Sequence, residues 1–136
     1  MISKHISEEE ATVSPTSLRL GINNTPTPEI LEAMKLVANK CFEPLREWYK
    51  KPIKINSFYR SPALNKAVGG ADKPISQHTK GQAIDLSAGS KEENKKLYDW
   101  CKANLEFDQL IWEYGGTWIH ISYKAVGNRK MVFNVG

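Results

Sequence analysis

Gln109-Leu110-Ile111-Trp112-Glu113-Tyr114-Gly115-Gly116-Thr117-Trp118-Ile119-His120-Ile121-Ser122 decides how this chain folds. Two runs rich in β-branched and aromatic residues flank a Gly-Gly pair, which predicts an antiparallel hairpin of strands 109–113 and 117–122. Successive side chains in a strand point to opposite faces. His120 therefore shares a face with Trp118 and Ser122, while Ile119 and Ile121 take the other. The isoleucines are suited to a core, and the histidine is left free to face a cleft.

Working outward, Ala83-Ile84-Asp85-Leu86 reads as a further strand. Ile53-Lys54-Ile55-Asn56-Ser57-Phe58 alternates apolar with polar and predicts another, delivering Tyr59-Arg60-Ser61-Pro62 to its end. A short helical turn over 63–67 and a loop over 68–74 follow. Ser90 with Glu93 three residues on forms a capping box for a helix through about Asn104, with Leu97, Trp100 and Cys101 on its buried side. Upstream, Thr27 as cap and Pro28 at the first helical position open a helix to about Tyr49. Its apolar residues, from Ile30 to Leu45, recur at three- and four-residue spacings and make it the main core-facing helix. Ser7 followed by Glu8, Glu9 and Glu10 opens a short helix near 8–13, and the chain is turn-rich from there to Pro28. The expected fold is α+β, helices packed on a small antiparallel sheet. The expected organisation is one domain, 1–136, with a helical and loop lead-in over 1–27 and a core from about 28.

Composition narrows what such a domain does. At 136 residues the chain can bury a core without disulfide or metal staples, so a metal site would be functional before it is structural. No apolar run approaches the roughly 20 residues of a membrane span. The first ten residues lack the apolar stretch and cleavage site of a secretory signal, which predicts synthesis in a cytoplasm. Cys41 and Cys101, the two cysteines of the chain, lie in helical patterns, form no CxxC pair and read as reduced, packed thiols. The net charge of +4 and pI near 9.0 favour anionic partners, cell wall among them. Its lysines and arginines are scattered and no nucleic-acid module is present, so no nucleic-acid partner is expected. A monomer is expected.

The chemistry concentrates in Ser76-Gln77-His78-Thr79-Lys80-Gly81-Gln82-Ala83-Ile84-Asp85 and in Trp118-Ile119-His120. His78 falls in a loop, Asp85 on the strand after it and His120 on the last strand, so a sheet can gather them from distant positions. Two imidazoles and one carboxylate leave a tetrahedral zinc one position open for water, which separates catalytic from structural zinc. Each residue alone is an ordinary strand or loop side chain. Together they make a pattern that chance rarely produces. Gly81 and Ala83 read as small residues that let the chain approach the metal. Trp112 reads as core packing or a cross-strand contact of the hairpin, Tyr114 and Trp118 as candidate groove residues, and His5 as a surface residue.

The SxHxxGxAxD segment with the downstream Trp-Ile-His resembles peptidase family M15. That family includes zinc D-Ala-D-Ala carboxypeptidases and phage L-alanyl-D-glutamate endopeptidases, and it shares the fold of the hedgehog signalling domain. Tyr59-Arg60-Ser61 resembles the family's YRS element, and Gln109–Glu113 the strand before its last histidine. The resemblance runs from about Asn56 to Tyr123. It implies one zinc ion held by His78, Asp85 and His120, with Glu113 as general base. It implies that Arg60 polarises the scissile carbonyl or holds a substrate carboxylate; Ser76 and Gln82, which flank the ligands, are expected to hydrogen-bond the peptide substrate or the groups that orient the ligands. In some members the glutamate stands three residues before the last histidine, where this chain has Thr117; Glu113 reaches the metal only if the Gly115-Gly116 turn returns it.

Two classes of function follow. One is a zinc metallopeptidase acting on peptidoglycan stem peptides, as a carboxypeptidase or an endolysin-type endopeptidase, reaching the wall after release or as part of a phage particle. The other is a non-catalytic zinc-containing module of the same fold that binds cell-wall peptide.

Overall fold

The computed structural model describes residues 1–136. The alternation read from the sequence builds a five-stranded sheet from β1 (Lys54–Ser57), β2 (Ala83–Ser87), β3 (Gln109–Glu113), β4 (Trp118–Ser122) and β5 (Met131–Val135). Their order is β1-β2-β4-β3-β5. The four expected strands pair antiparallel, β2 with both β1 and β4, and β4 with β3. The fifth was not legible: β5 runs parallel to β3 at the sheet edge, Gln109 opposite Met131 and Glu113 opposite Val135.

Period-two alternation sorts the sheet into two faces. Ile84, Leu86, Leu110, Ile119 and Ile121 are all 0% exposed and enter one core of 22 buried residues. Full burial of each such side chain contributes about 1.5–3 kcal/mol. The intervening residues Asp85, Ile111, Glu113, Trp118 and His120 line a cleft. The sheet thus has a core side and a working side, and the hairpin's parity decides which residues go where.

Helices α1 (Glu8–Thr12), α2 (Pro15–Leu20), α3 (Pro28–Val37), α4 (Glu43–Tyr49), α5 (Pro62–Ala67) and α6 (Lys91–Asn104) complete the fold. Ser7, Ser14, Thr27, Ser61 and Ser90 cap five of them, each accepting a backbone N–H of the first turn. The uninterrupted helix expected over 28–49 is instead α3 and α4 joined by a π-helical turn, Ala38–Phe42. Pro44 explains this, since it has no N–H to donate and its ring crowds the carbonyl four residues earlier. Cys41 and Cys101 are buried free thiols, and burial pushes Cys41 up to about 12, so neither is a ready nucleophile.

The lead-in belongs to the core. Ile2, Ile6 and Ala11 join the same buried cluster, and Tyr59 N–H donates to the Ala11 carbonyl at 3.1 Å. Asn24 is buried; its Nδ2 donates to the carbonyls of Thr12 and Tyr59, and its Oδ1 accepts from Ser61 N–H. That one amide braces both sides of Arg60. His5, expected on the surface, is partly buried, with Nδ1 at 2.6 Å from Glu43 Oε1.

Candidate metal centre

His78 rides on a short 3₁₀ turn, Gln77–Lys80, capped by the Ser76 hydroxyl. Gly81 ends that turn at φ 70°, and a Cβ there would sit 2.7 Å from Met34 Cγ. Gly81 is therefore small because of α3, and the metal has no part in it. Asp85 on β2 lies directly opposite His120 on β4, so strand register brings those two together.

The ligand atoms of His78, Asp85 and His120 all lie within 4.8 Å of one another, and all three residues are buried. His78 Nδ1 is 2.7 Å from the Phe58 carbonyl, which can only accept, so Nδ1 carries the proton. That leaves the Nε2 lone pair facing Asp85 Oδ2 at 3.2 Å. His120 Nδ1 lies 3.0 Å from Asp85 Oδ1, and its Nε2 is buried without a partner. Lone pairs converging on a carboxylate at these distances need a proton or a cation between them. A carbonyl holding the outer nitrogen of a ligating histidine is also the usual support of a metal site. The donor set fits a zinc ion. Burial alone would raise the Asp85 pKa, yet the two imidazoles hold it well below the ordinary carboxylate range.

Glu113 does reach this group. Its Oε2 is 3.9 Å from His120 Nδ1, because Tyr114–Gly116 turns tightly and pairs Glu113 with Trp118. Gly116 is required there: at φ 89°, a Cβ would lie 2.2 Å from the Trp112 ring. The buried Asn94 of α6 donates to the carbonyls of Gly116 and Thr117 and so holds the turn. Thr117 stays out of the site, its hydroxyl donating to the Tyr114 carbonyl. Burial and the charge of Asp85 push the Glu113 carboxyl above its ordinary pKa, against the Trp118 indole N–H that donates to Oε2 at 2.9 Å.

Arg60 lines the same cleft. Its backbone N–H donates to the His78 carbonyl, its Nη2 donates to Ser76 Oγ at 3.1 Å, and its Nε is buried without a partner. Burial lowers its pKa, opposed by the carboxylates of Asp85 and Glu113. Ser76 therefore both orients Arg60 and caps the turn bearing His78. Gln82 lines the cleft and accepts from Gln77 Nε2 at 3.3 Å.

The Peptidase M15 family profile matches residues 4–122, most of the chain. The chain belongs to the peptidase M15 family. No curated protein matches it significantly. The matched span takes in most of the lead-in, in line with Ile6 and Ala11 packing in the core of this M15 domain. It also contains the buried His-Asp-His group that can hold a metal ion.

The cleft of the M15 domain, about 1080 Å³, reaches well past this group. That lies at the top of the range for small-molecule pockets and suits a peptide. Tyr114 and Trp118, whose rings lie 5.0 Å apart, line it, while Trp112 packs edge-on against Tyr98 as expected. Sequence reading missed Gln77, Asp108, Lys124 and Arg129, which also line it. The one signal was Asp108 itself, an acidic residue next to the apolar Phe107 and leading into a buried strand. No helix is long and apolar enough to cross a membrane.

Proposed function

We propose that this chain is a zinc metallopeptidase that hydrolyses peptide bonds in peptidoglycan stem peptides. The observation that carries this reading is the buried His78, Asp85 and His120 group with Glu113 at 3.9 Å from His120, set in the cleft of an M15 chain. His78, Asp85 and His120 would hold one zinc ion. Its Lewis acidity makes water in the site nucleophilic near neutral pH.

The chain's own residues do the rest. Glu113 takes a proton from the attacking water and returns it to the departing amine. Arg60, held by Ser76, directs guanidinium N–H donors at the carbonyl oxygen as charge develops there. In a carboxypeptidase the same fork would hold the terminal carboxylate. Ser76 and Gln82 stand beside the substrate.

The cleft runs along the strands to both sides of His120, toward Tyr114 and Val135 at one end and toward Lys124 and Arg129 at the other. Room on both sides of the bond supports an endopeptidase over a carboxypeptidase. Mass spectrometry of fragments released from purified peptidoglycan, with zinc supplied or chelated, identifies the bond and tests the mechanism. Chelation is expected to abolish all products; unchanged digestion sinks the zinc reading. Wild-type protein that binds wall peptide and releases nothing from any peptidoglycan would make the chain a non-catalytic binding module.

A further inference from the structure

At the far end of the cleft a second buried carboxylate organises two cations. Asp108 is 0% exposed and both of its oxygens accept two hydrogen bonds. Its Oδ1 accepts from Arg129 Nε at 2.9 Å and from Arg129 backbone N–H at 3.1 Å, with Lys124 Nζ at 3.5 Å. Its Oδ2 accepts from Arg129 Nη2 at 2.8 Å and Gln77 Nε2 at 3.1 Å. The loop bearing both cations is pinned as well. Asn128 Oδ1 accepts from Lys124 N–H, its Nδ2 donates to the Lys124 carbonyl, and Lys130 and Met131 N–H donate to the carbonyls of Phe107 and Asp108.

One carboxylate against two permanent cations leaves a surplus positive charge. Arg129 remains about half exposed (51%) and Lys124 a third (32%), with the second amino group of Arg129 making no protein hydrogen bond. A guanidinium fixed along one edge and open along the other is pre-organised for an anion, since little rotamer freedom remains to be lost on binding. Gln77 helps to fix the clamp: Asp108 can only accept, so the Gln77 amide nitrogen must face it.

We propose that Arg129 and Lys124, held by Asp108, form a carboxylate subsite that recognises an acidic residue of the peptide substrate. The strands give its distance from the reacting bond. Ile111 stands opposite His120 and Asp108 lies three residues earlier, about 10 Å along the strand at roughly 3.3 Å per residue. An extended peptide has a similar rise, so the carboxylate belongs two or three residues from the bond cut. This placement rests on the peptidase reading; the anion site itself does not.

Three soluble peptides test it: one with Glu three residues from the cleaved bond, one with Gln there, and one with Gln there and a free α-carboxylate ending the chain at that position. Binding is measured by calorimetry and cleavage by mass spectrometry on the zinc-loaded protein. The Glu peptide is expected to bind about tenfold tighter than the Gln peptide, the scale of one charge-assisted hydrogen bond. Tight binding of the third peptide instead of the first would assign the subsite to a chain terminus. Lys124→Gln should collapse the Glu-to-Gln ratio toward one, and so should the double variant Asp108→Asn/Arg129→Gln, which leaves no buried charge unpaired. Equal or undetectable binding of the acidic and neutral peptides overturns the subsite. Preferential binding without cleavage upholds it and removes the peptidase reading instead.

Discussion

Asp85 and Asp108 are two buried carboxylates of one cleft, both held below the ordinary carboxylate range, yet they are built for different work. The partners of Asp85 are two imidazoles, which can shed their protons and turn lone pairs inward. The partners of Asp108 are a guanidinium and an ammonium, which have no lone pair to give. Both carboxylates are buried. What separates a metal centre from an ion-pair clamp is whether the neighbours can give up a proton.

Substituting at the two sites should expose that difference. The largest effect is expected from His120→Ala or Asp85→Ala, which should empty the site of zinc and reduce peptide release to background; metal content by mass spectrometry checks the first and fragment analysis the second. Asp108→Asn should leave zinc content at one per chain. Equal zinc loss from both aspartate variants would break the distinction. Next comes Glu113→Gln, which retains shape and removes the proton acceptor. Loss of a general base costs about 10²–10⁴-fold in kcat with zinc still bound, and a variant that digests peptidoglycan at the native rate would take Glu113 out of the mechanism.

At the clamp the expected signature is stability. Asp108→Asn removes the counter-charge of Arg129 and Lys124, and because both cations are partly in solvent the loss should be the modest one of a screened pair, readable as a lower urea midpoint. Hydrogen bonding and charge from Arg129 hold Asp108 down to about 2, against an ordinary 3.8. The unfolded chain therefore binds more protons between those values, and the contribution of Asp108 is present above pH 4 and lost as pH falls toward 2. The variant should show a flatter stability curve over that acid range than the native protein.

What the sequence made legible follows the range of the physics involved. Strand parity is local, so the core and cleft faces of β4 could be read from Trp118 to Ser122. His78, Asp85 and His120 sit on elements whose types were readable, and antiparallel pairing of β2 with β4 did the rest. Contacts between residues far apart were not readable. Asn94 holds the turn that returns Glu113 across 22 residues of sequence, and Arg129 meets Asp108 across 21. The cations looked scattered because charge clustering here is a property of the cleft and is absent along the chain. Strand β5 carries five residues with no turn signal tying it to β3, because a parallel partner needs no hairpin. Pro44 was the readable signal that was passed over: a proline inside a helical pattern announces the break that the π turn supplies.

The smallest effect concerns the proton affinity of Glu113, the proposed base. At the clamp, Asp108 is saturated by donors and fixed in its charged form. Glu113 receives one protein donor, the Trp118 indole N–H, and its carboxyl stays above the ordinary range through burial and the charge of Asp85. Trp118→Phe keeps an aromatic ring in the cleft and deletes that donor. A hydrogen bond to the ionised form favours ionisation, so its loss should raise the Glu113 pKa further. Because the base must be ionised to act, the acid limb of the kcat/KM profile should move to higher pH, by under about one unit for a bond worth about 1 kcal/mol. The plateau at higher pH should fall only a few-fold. A limb that stays in place while the plateau drops would mean that Trp118 packs beside Glu113 without setting its proton affinity.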